Sequence, residues 1–92
     1  MPKILIVDDD PTILDGLRRL LTRSGYDVVV APNGILGLEA ARNQAFVVVV
    51  TDLAMPGVSG LDLIKLIQGL DPTLPVIVLT GNATLELSLI HI

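Results

Sequence analysis

Four short, β-branched apolar runs alternate with three helical stripes, and that alternation constrains this chain more than any other feature. The runs are Ile4 to Val7, Val28 to Val30, Phe46 to Val50 and Val76 to Leu79. Their length and β-branching favour buried strands over helices. Phe46 to Val50 is apolar at every position, as expected of a central strand buried on both faces of a parallel sheet. Between the first two runs, Ile13, Leu14, Leu17, Leu20 and Leu21 recur at one-face helical spacing. Pro11 suits the first turn of that helix, and Gly25 suits its C-terminal stop. A shorter helix is expected from about Ile35 to Arg42, weakened by Gly37. Leu61, Ile64, Ile67 and Leu70 mark a third, ended by Gly69 and Asp71-Pro72. Strict strand–helix alternation predicts an α/β fold with an open parallel sheet and helices on both faces. Right-handed crossovers leave few topologies, and a common one orders the strands 2-1-3-4. In it the winding reverses between the first and third strands, and ligands sit beyond the carboxyl ends of the strands at that reversal.

At 92 residues the chain is sized for one domain. It is 51% apolar but only 2% aromatic, so the core must be aliphatic. The absence of cysteine excludes a disulfide scaffold, a thiolate zinc site and an iron–sulfur cluster. A net charge of −4 with six Lys and Arg leaves no basic footprint for nucleic acid. The longest unbroken apolar run, Ala45 to Val50, falls far short of the ~18 residues of a membrane span. The amino terminus does not read as a signal peptide, so the expected location is the cytoplasm.

Polar residues close three of the strands. Asp8 and Asp9 follow the first, Asp52 the third and Thr80 the fourth. If strands 1 and 3 are neighbours, three carboxylates converge in one crevice, with a hydroxyl one strand away. Like charges this close raise one another's pKa unless a cation intervenes. A donor set of hard oxygens without His or Cys suits Mg²⁺. Such a site fits phosphoryl chemistry, with Asp52 as a nucleophile forming an aspartyl phosphate and Thr80 bonding a phosphate oxygen. Asp10 is best read as the cap of the first helix. Arg18 and Arg19 read as a solvated helix face, and His91 as an exposed tail residue.

At these residues the chain resembles the receiver domain of two-component response regulators, the chemotaxis-regulator-like fold. The segments that carry the resemblance are ILIVDDD at 4–10, PNG at 32–34, VVVVTDLAMPGVSGLDLI at 47–64 and PVIVLTGNAT at 75–84. The resemblance implies Mg²⁺ held by Asp8, Asp9 and Asp52, with the backbone carbonyl of Ala54 as a further ligand. It implies that Asp52 accepts phosphate from a sensor histidine kinase or phosphotransfer protein, and that Thr80 is the switch hydroxyl. The family pattern continues through a fourth helix, a fifth strand ending in Lys-Pro and a fifth helix. Here no lysine follows Lys65, so the cation that would pair with phosphate has no candidate. The expected organisation is therefore a C-terminally truncated receiver at 1–86, lacking the fifth strand and fifth helix, and a non-family tail at 87–92.

Two other readings stay open at this level. One is a receiver-derived structural module that self-associates without signalling. The other is a Mg²⁺-dependent phosphatase, disfavoured because Ala54 stands where a second aspartate is normally found. Loss of the fifth strand would leave Val76 to Leu79 as an open apolar edge, which natural proteins seldom leave bare. A homodimer through residues 76–92 is therefore expected. The alternation of Leu85, Leu87 and Leu89 with Glu86, Ser88 and Ile90 suits a strand that Gly81-Asn82 could turn back as a hairpin. The competing expectation is a short helix from near Thr84.

Overall fold

The computed structural model describes residues 1–53 and 57–79 in full and residues 87–90 as backbone. Strand β1 (Lys3–Val7) leads into helix α1 (Pro11–Arg23), followed by β2 (Asp27–Ala31), α2 (Gly34–Asn43) and β3 (Val48–Asp52). Helix α3 (Gly60–Leu70), β4 (Val76–Leu79) and β5 (Leu87–Ile90) complete the described elements. The sheet order is β2-β1-β3-β4-β5, with the first four strands parallel, as the alternation of runs and stripes requires.

A fifth strand joins the sheet, as the alternating leucines allow, but it comes from residues 87–90 and is antiparallel, and is not the strand ending in Lys-Pro whose absence was expected. β5 runs antiparallel to β4, with Ile77 opposite Leu89 and Leu79 opposite Leu87. Residues 87–90, set apart in the sequence as a tail, thus extend the same sheet. The alternating leucines carried this strand signal. The hairpin expected at Gly81-Asn82 and the helix start expected near Thr84 both lie outside the described residues. The edge on Val76 to Leu79 is not left bare. Within one chain, β5 occupies that edge, and Val76, Val78 and Leu79 are buried.

Local chemistry sets the helix ends. At α1, Asp10 Oδ1 accepts the Thr12 N–H and Pro11 takes the first helical position, where no donor is needed. Its C-terminus closes when Ser24 N–H reaches the Leu20 and Leu21 carbonyls and Tyr26 N–H reaches Leu21 O. Gly25 makes that reversal at φ +95°, a conformation side chains resist. Asn33 caps α2 through the Leu36 N–H, and Ser59 caps α3 through the Asp62 N–H.

The core divides by strand parity. Leu5, Val7, Val49, Val76 and Val78 face α2 and α3, where Leu63, Ile64 and Ile67 are buried. Ile4, Ile6, Val50 and Leu79 face the other side, against Leu14 of α1. β3 begins two residues later than the apolar run suggested. Its pairing with β1 starts at Ile4 opposite Val48, and Val47 N–H serves as the lead-in, donating to Lys3 O. Thr51 continues the strand because it is β-branched, and its hydroxyl is satisfied locally by donating to Asp52 O.

Candidate functional site

Parallel pairing of β1 with β3 places Val7 opposite Thr51, so the residues that follow emerge side by side at the carboxyl ends. Asp8 is buried, Asp9 is exposed and Asp52 is half-buried as the last residue of β3. One carboxylate oxygen from each of these three lies within 4.8 Å of the others. The convergence expected from the sequence is therefore present. Ala54, expected to contribute a backbone carbonyl, and Thr80, expected to contribute a hydroxyl, lie outside the described residues.

Asp8 is the fixed point of the cluster. Its own N–H donates to Ala31 O of β2 at 3.2 Å. Its Oδ1 accepts the Asp10 N–H at 2.8 Å. Its Oδ2 is buried without a hydrogen-bond partner among the described residues. Burial is the main cause that pushes the Asp8 carboxyl above its ordinary pKa. The Asp10 N–H opposes this, and the charges of Asp52, Asp9 and Asp10 add to the rise.

An orphaned buried carboxylate oxygen costs on the order of 1–3 kcal/mol. Two further carboxylates beside it form an all-oxygen donor set. Both features fit a hard divalent cation, and the donor chemistry favours Mg²⁺ over softer metals. Arg18 and Arg19 have no part in this cluster. Both pair with Asp15 on α1, at 2.8 and 3.0 Å, in an exposed arrangement that holds the Asp15 carboxyl below its ordinary pKa through its bond to Arg18.

Sequence reasoning missed the residue that lets α3 approach the site. A Cβ built on Gly60 collides with the Asp52 carbonyl oxygen and lies 2.6 Å from Leu53 Cα. Gly60 N–H also donates to Leu53 O at 3.1 Å. Gly60 thus clamps the start of α3 against the backbone that carries Asp52. The only hint in the sequence is a second glycine three residues after Gly57. Gly60→Ala should destabilise the fold by about 1–3 kcal/mol, because backbone atoms cannot yield as a flexible side chain would. Gly69→Ala, where a Cβ meets nothing within 4 Å, should instead hold or raise stability through helix propensity. Chemical denaturation of the two variants side by side checks this, and equal midpoints would refute the clamp.

A family model for the response regulator receiver domain matches residues 4–90. Transcriptional regulatory protein GlrR of Escherichia coli (strain K12) is 39% identical over 82 residues, which cover 89% of this chain and 18% of that protein. A response regulator receiver domain protein from Clostridium thermocellum superposes with TM-score 0.85 at 36% identity, covering 90% of this chain and 68% of that one. TrrA from Thermotoga maritima, solved in complex with Mg(2+)-BeF, gives TM-score 0.85 at 34% identity, covering 90% of this chain and 72% of that one. The chain thus spans under a fifth of the length of GlrR and about two thirds of the C. thermocellum receiver. Strand order, the acidic cluster at the β1 and β3 ends, and these likenesses converge: the chain belongs to the response regulator receiver domain family.

Proposed function

We propose that Asp52 is the phosphoacceptor of this receiver domain and that Asp8, Asp9 and Asp52 hold Mg²⁺. The observation that carries the reading is the approach of the three carboxylates at the ends of adjacent strands, with one buried oxygen of Asp8 unpaired among the described residues. Two assignments rest on the family pattern alone: the Ala54 carbonyl as a further metal ligand, and the Thr80 hydroxyl as a phosphate partner and switch.

In this reading the donor is a phosphohistidine on a sensor kinase or phosphotransfer protein. A carboxylate oxygen of Asp52 attacks phosphorus, an O–P bond forms, and the P–N bond to the imidazole breaks. Bound Mg²⁺ supplies neutralising charge for the phosphoryl oxygens. Asp8 is held by its bond to the Asp10 N–H, so one carboxylate is oriented before any ligand arrives. Asp52 is half-buried at the end of β3, and its backbone is held in the sheet opposite Leu79. Transfer onto Asp52 is stoichiometric, so the role is that of a substrate in a relay and not of an enzyme. A cytoplasmic location accords with this role. Among the described residues, no helix is long and apolar enough to cross a membrane.

Two measurements test the proposal. Millimolar Mg²⁺ should raise the melting temperature, because a ligand that binds only the native state stabilises it. Acetyl phosphate with Mg²⁺ should add a single phosphoryl group to the intact chain, and EDTA should prevent it. No thermal shift together with no mass gain would overturn the reading and favour a structural module.

A further inference from the structure

We infer that the turn Ala31-Pro32-Asn33-Gly34 is a strut that sets the spacing of the carboxylate cluster, with Gly34 as a positioning residue. The role toward metal rests on the phosphoacceptor reading, whereas the contacts belong to the chain itself. The turn lies outside the cluster, yet it touches both of its walls. At one end, Ala31 O accepts the Asp8 N–H at 3.2 Å, which ties the turn to the backbone of the buried carboxylate. At the other end, a Cβ built on Gly34 would lie 2.8 Å from the Val58 carbonyl oxygen, 2.9 Å from Val58 Cβ and 3.0 Å from its Cγ1. Val58 is half-buried and packs on the core beneath α2 and α3. Two residues later Gly60 abuts the Asp52 carbonyl and donates to Leu53 O. One turn thus braces the Asp8 backbone on one side and the segment that returns to Asp52 on the other.

The backbone at Gly34 does not itself demand glycine. Among the described glycines only Gly25 and Gly57 take positive φ. Alanine would also be the better helix former at the start of α2. What glycine supplies is the close approach of Val58, and a backbone carbonyl cannot swing aside as the tip of a long side chain can. The turn is stiff as well. Pro32 fixes its own φ. Asn33 accepts the Leu36 N–H at 2.9 Å on its side chain and the Gly37 N–H at 3.0 Å on its carbonyl. A stiff piece braced at both ends passes a change at one end to the other. A methyl group on residue 34 would push Val58 away, and with it the Gly60 contact on Asp52, while Asp8 stays tied to Ala31. Spacing of the carboxylates matters to Mg²⁺ because that ion demands near-ideal octahedral geometry at short ligand distances.

Two measurements on the full chain test the strut, both at a temperature where circular dichroism shows each variant folded. The first is metal-free amide exchange. Gly34→Ala should speed exchange of the Gly60 amide by about tenfold relative to the Ile6 amide, which reports global opening of the central sheet. The second is a Mg²⁺ titration followed by amide chemical shifts. Its Kd should rise by about tenfold in Gly34→Ala, as when groups that orient metal ligands are disturbed. A uniform loss of stability does not move the Kd of a fully populated native state. Ile67→Val, which only trims the buried core under α3, should therefore leave both readings at wild-type values. Val58→Ala loosens the same contact from the other side without a clash. It should raise Kd more mildly, and the two effects should not add in the double variant, because they act through one contact. Wild-type values for Gly34→Ala in both readings overturn the strut, and so does full additivity. If Gly34→Ala does not fold, an unchanged Kd in Val58→Ala overturns it. A wild type that binds no Mg²⁺, with Gly60 exchange still raised in Gly34→Ala, overturns the metal assignment and the positioning role with it, while the contact itself survives.

Discussion

Asp52→Asn is expected to reduce phosphoryl uptake from acetyl phosphate to background while leaving the fold intact. The asparagine carboxamide lacks the anionic oxygen that attacks phosphorus. Its size and position at the end of β3 are otherwise unchanged, so pairing with Leu79 across the sheet persists. Removing one of three clustered carboxylates also relieves repulsion, so the melting temperature without metal should hold or rise. Intact mass and thermal melting on the same sample separate the two effects. Uptake that survives the substitution would place the acceptor elsewhere.

Asp8→Asn carries the second large effect, and its sign depends on the metal. In EDTA the variant should be more stable than wild type at neutral pH by about 1–3 kcal/mol, because the amide carries no buried charge to desolvate or to repel Asp9 and Asp52. For a domain of this size that is several degrees or more in Tm. The pH dependence follows from the raised Asp8 pKa. Between its unfolded and native values the folded chain holds the Asp8 proton more tightly than the unfolded chain does. Its favourable contribution is therefore complete below the ordinary carboxylate range and is lost as pH rises through the raised native value. Asparagine cannot titrate, so the stability gap should open across that window and close below it. If Asp8 is a Mg²⁺ ligand as proposed, the order should reverse with Mg²⁺ present, because the variant would bind the metal at least about tenfold more weakly. Melting curves at several pH values, with EDTA and with Mg²⁺, check both halves. A gap independent of pH would show that Asp8 is neither strained nor titrating.

Much of this was legible before any coordinates. Phe46 to Val50 is apolar at every position, and a strand buried on both faces leaves little alternative to a central place in a parallel sheet. Once β1 and β3 are neighbours, the first polar residues beyond each must share a crevice, which is how Asp8, Asp9 and Asp52 were found. What escaped was information that depends on distance between chain segments. Gly60 is one such residue, because nothing local reveals that α3 starts against the Asp52 carbonyl. β3 was placed two residues early because hydropathy ended the run at Val50. The buried Thr51 hydroxyl satisfies itself within the chain and lets the strand continue. Pairing of residues 87–90 with β4 was suggested by alternation, but whether the strand would be supplied in cis or by a second copy is a matter of tertiary reach.

The central claim is that the three carboxylates form one phosphoacceptor site centred on Asp52. Borohydride reduction after acetyl phosphate treatment tests it most directly, since it converts an aspartyl phosphate to homoserine at the modified position. Peptide sequencing by mass spectrometry should then find homoserine at residue 52 alone, in the Mg²⁺ sample and not in the EDTA sample. Homoserine at residue 8 or 9, or equal labelling with and without Mg²⁺, would contradict it.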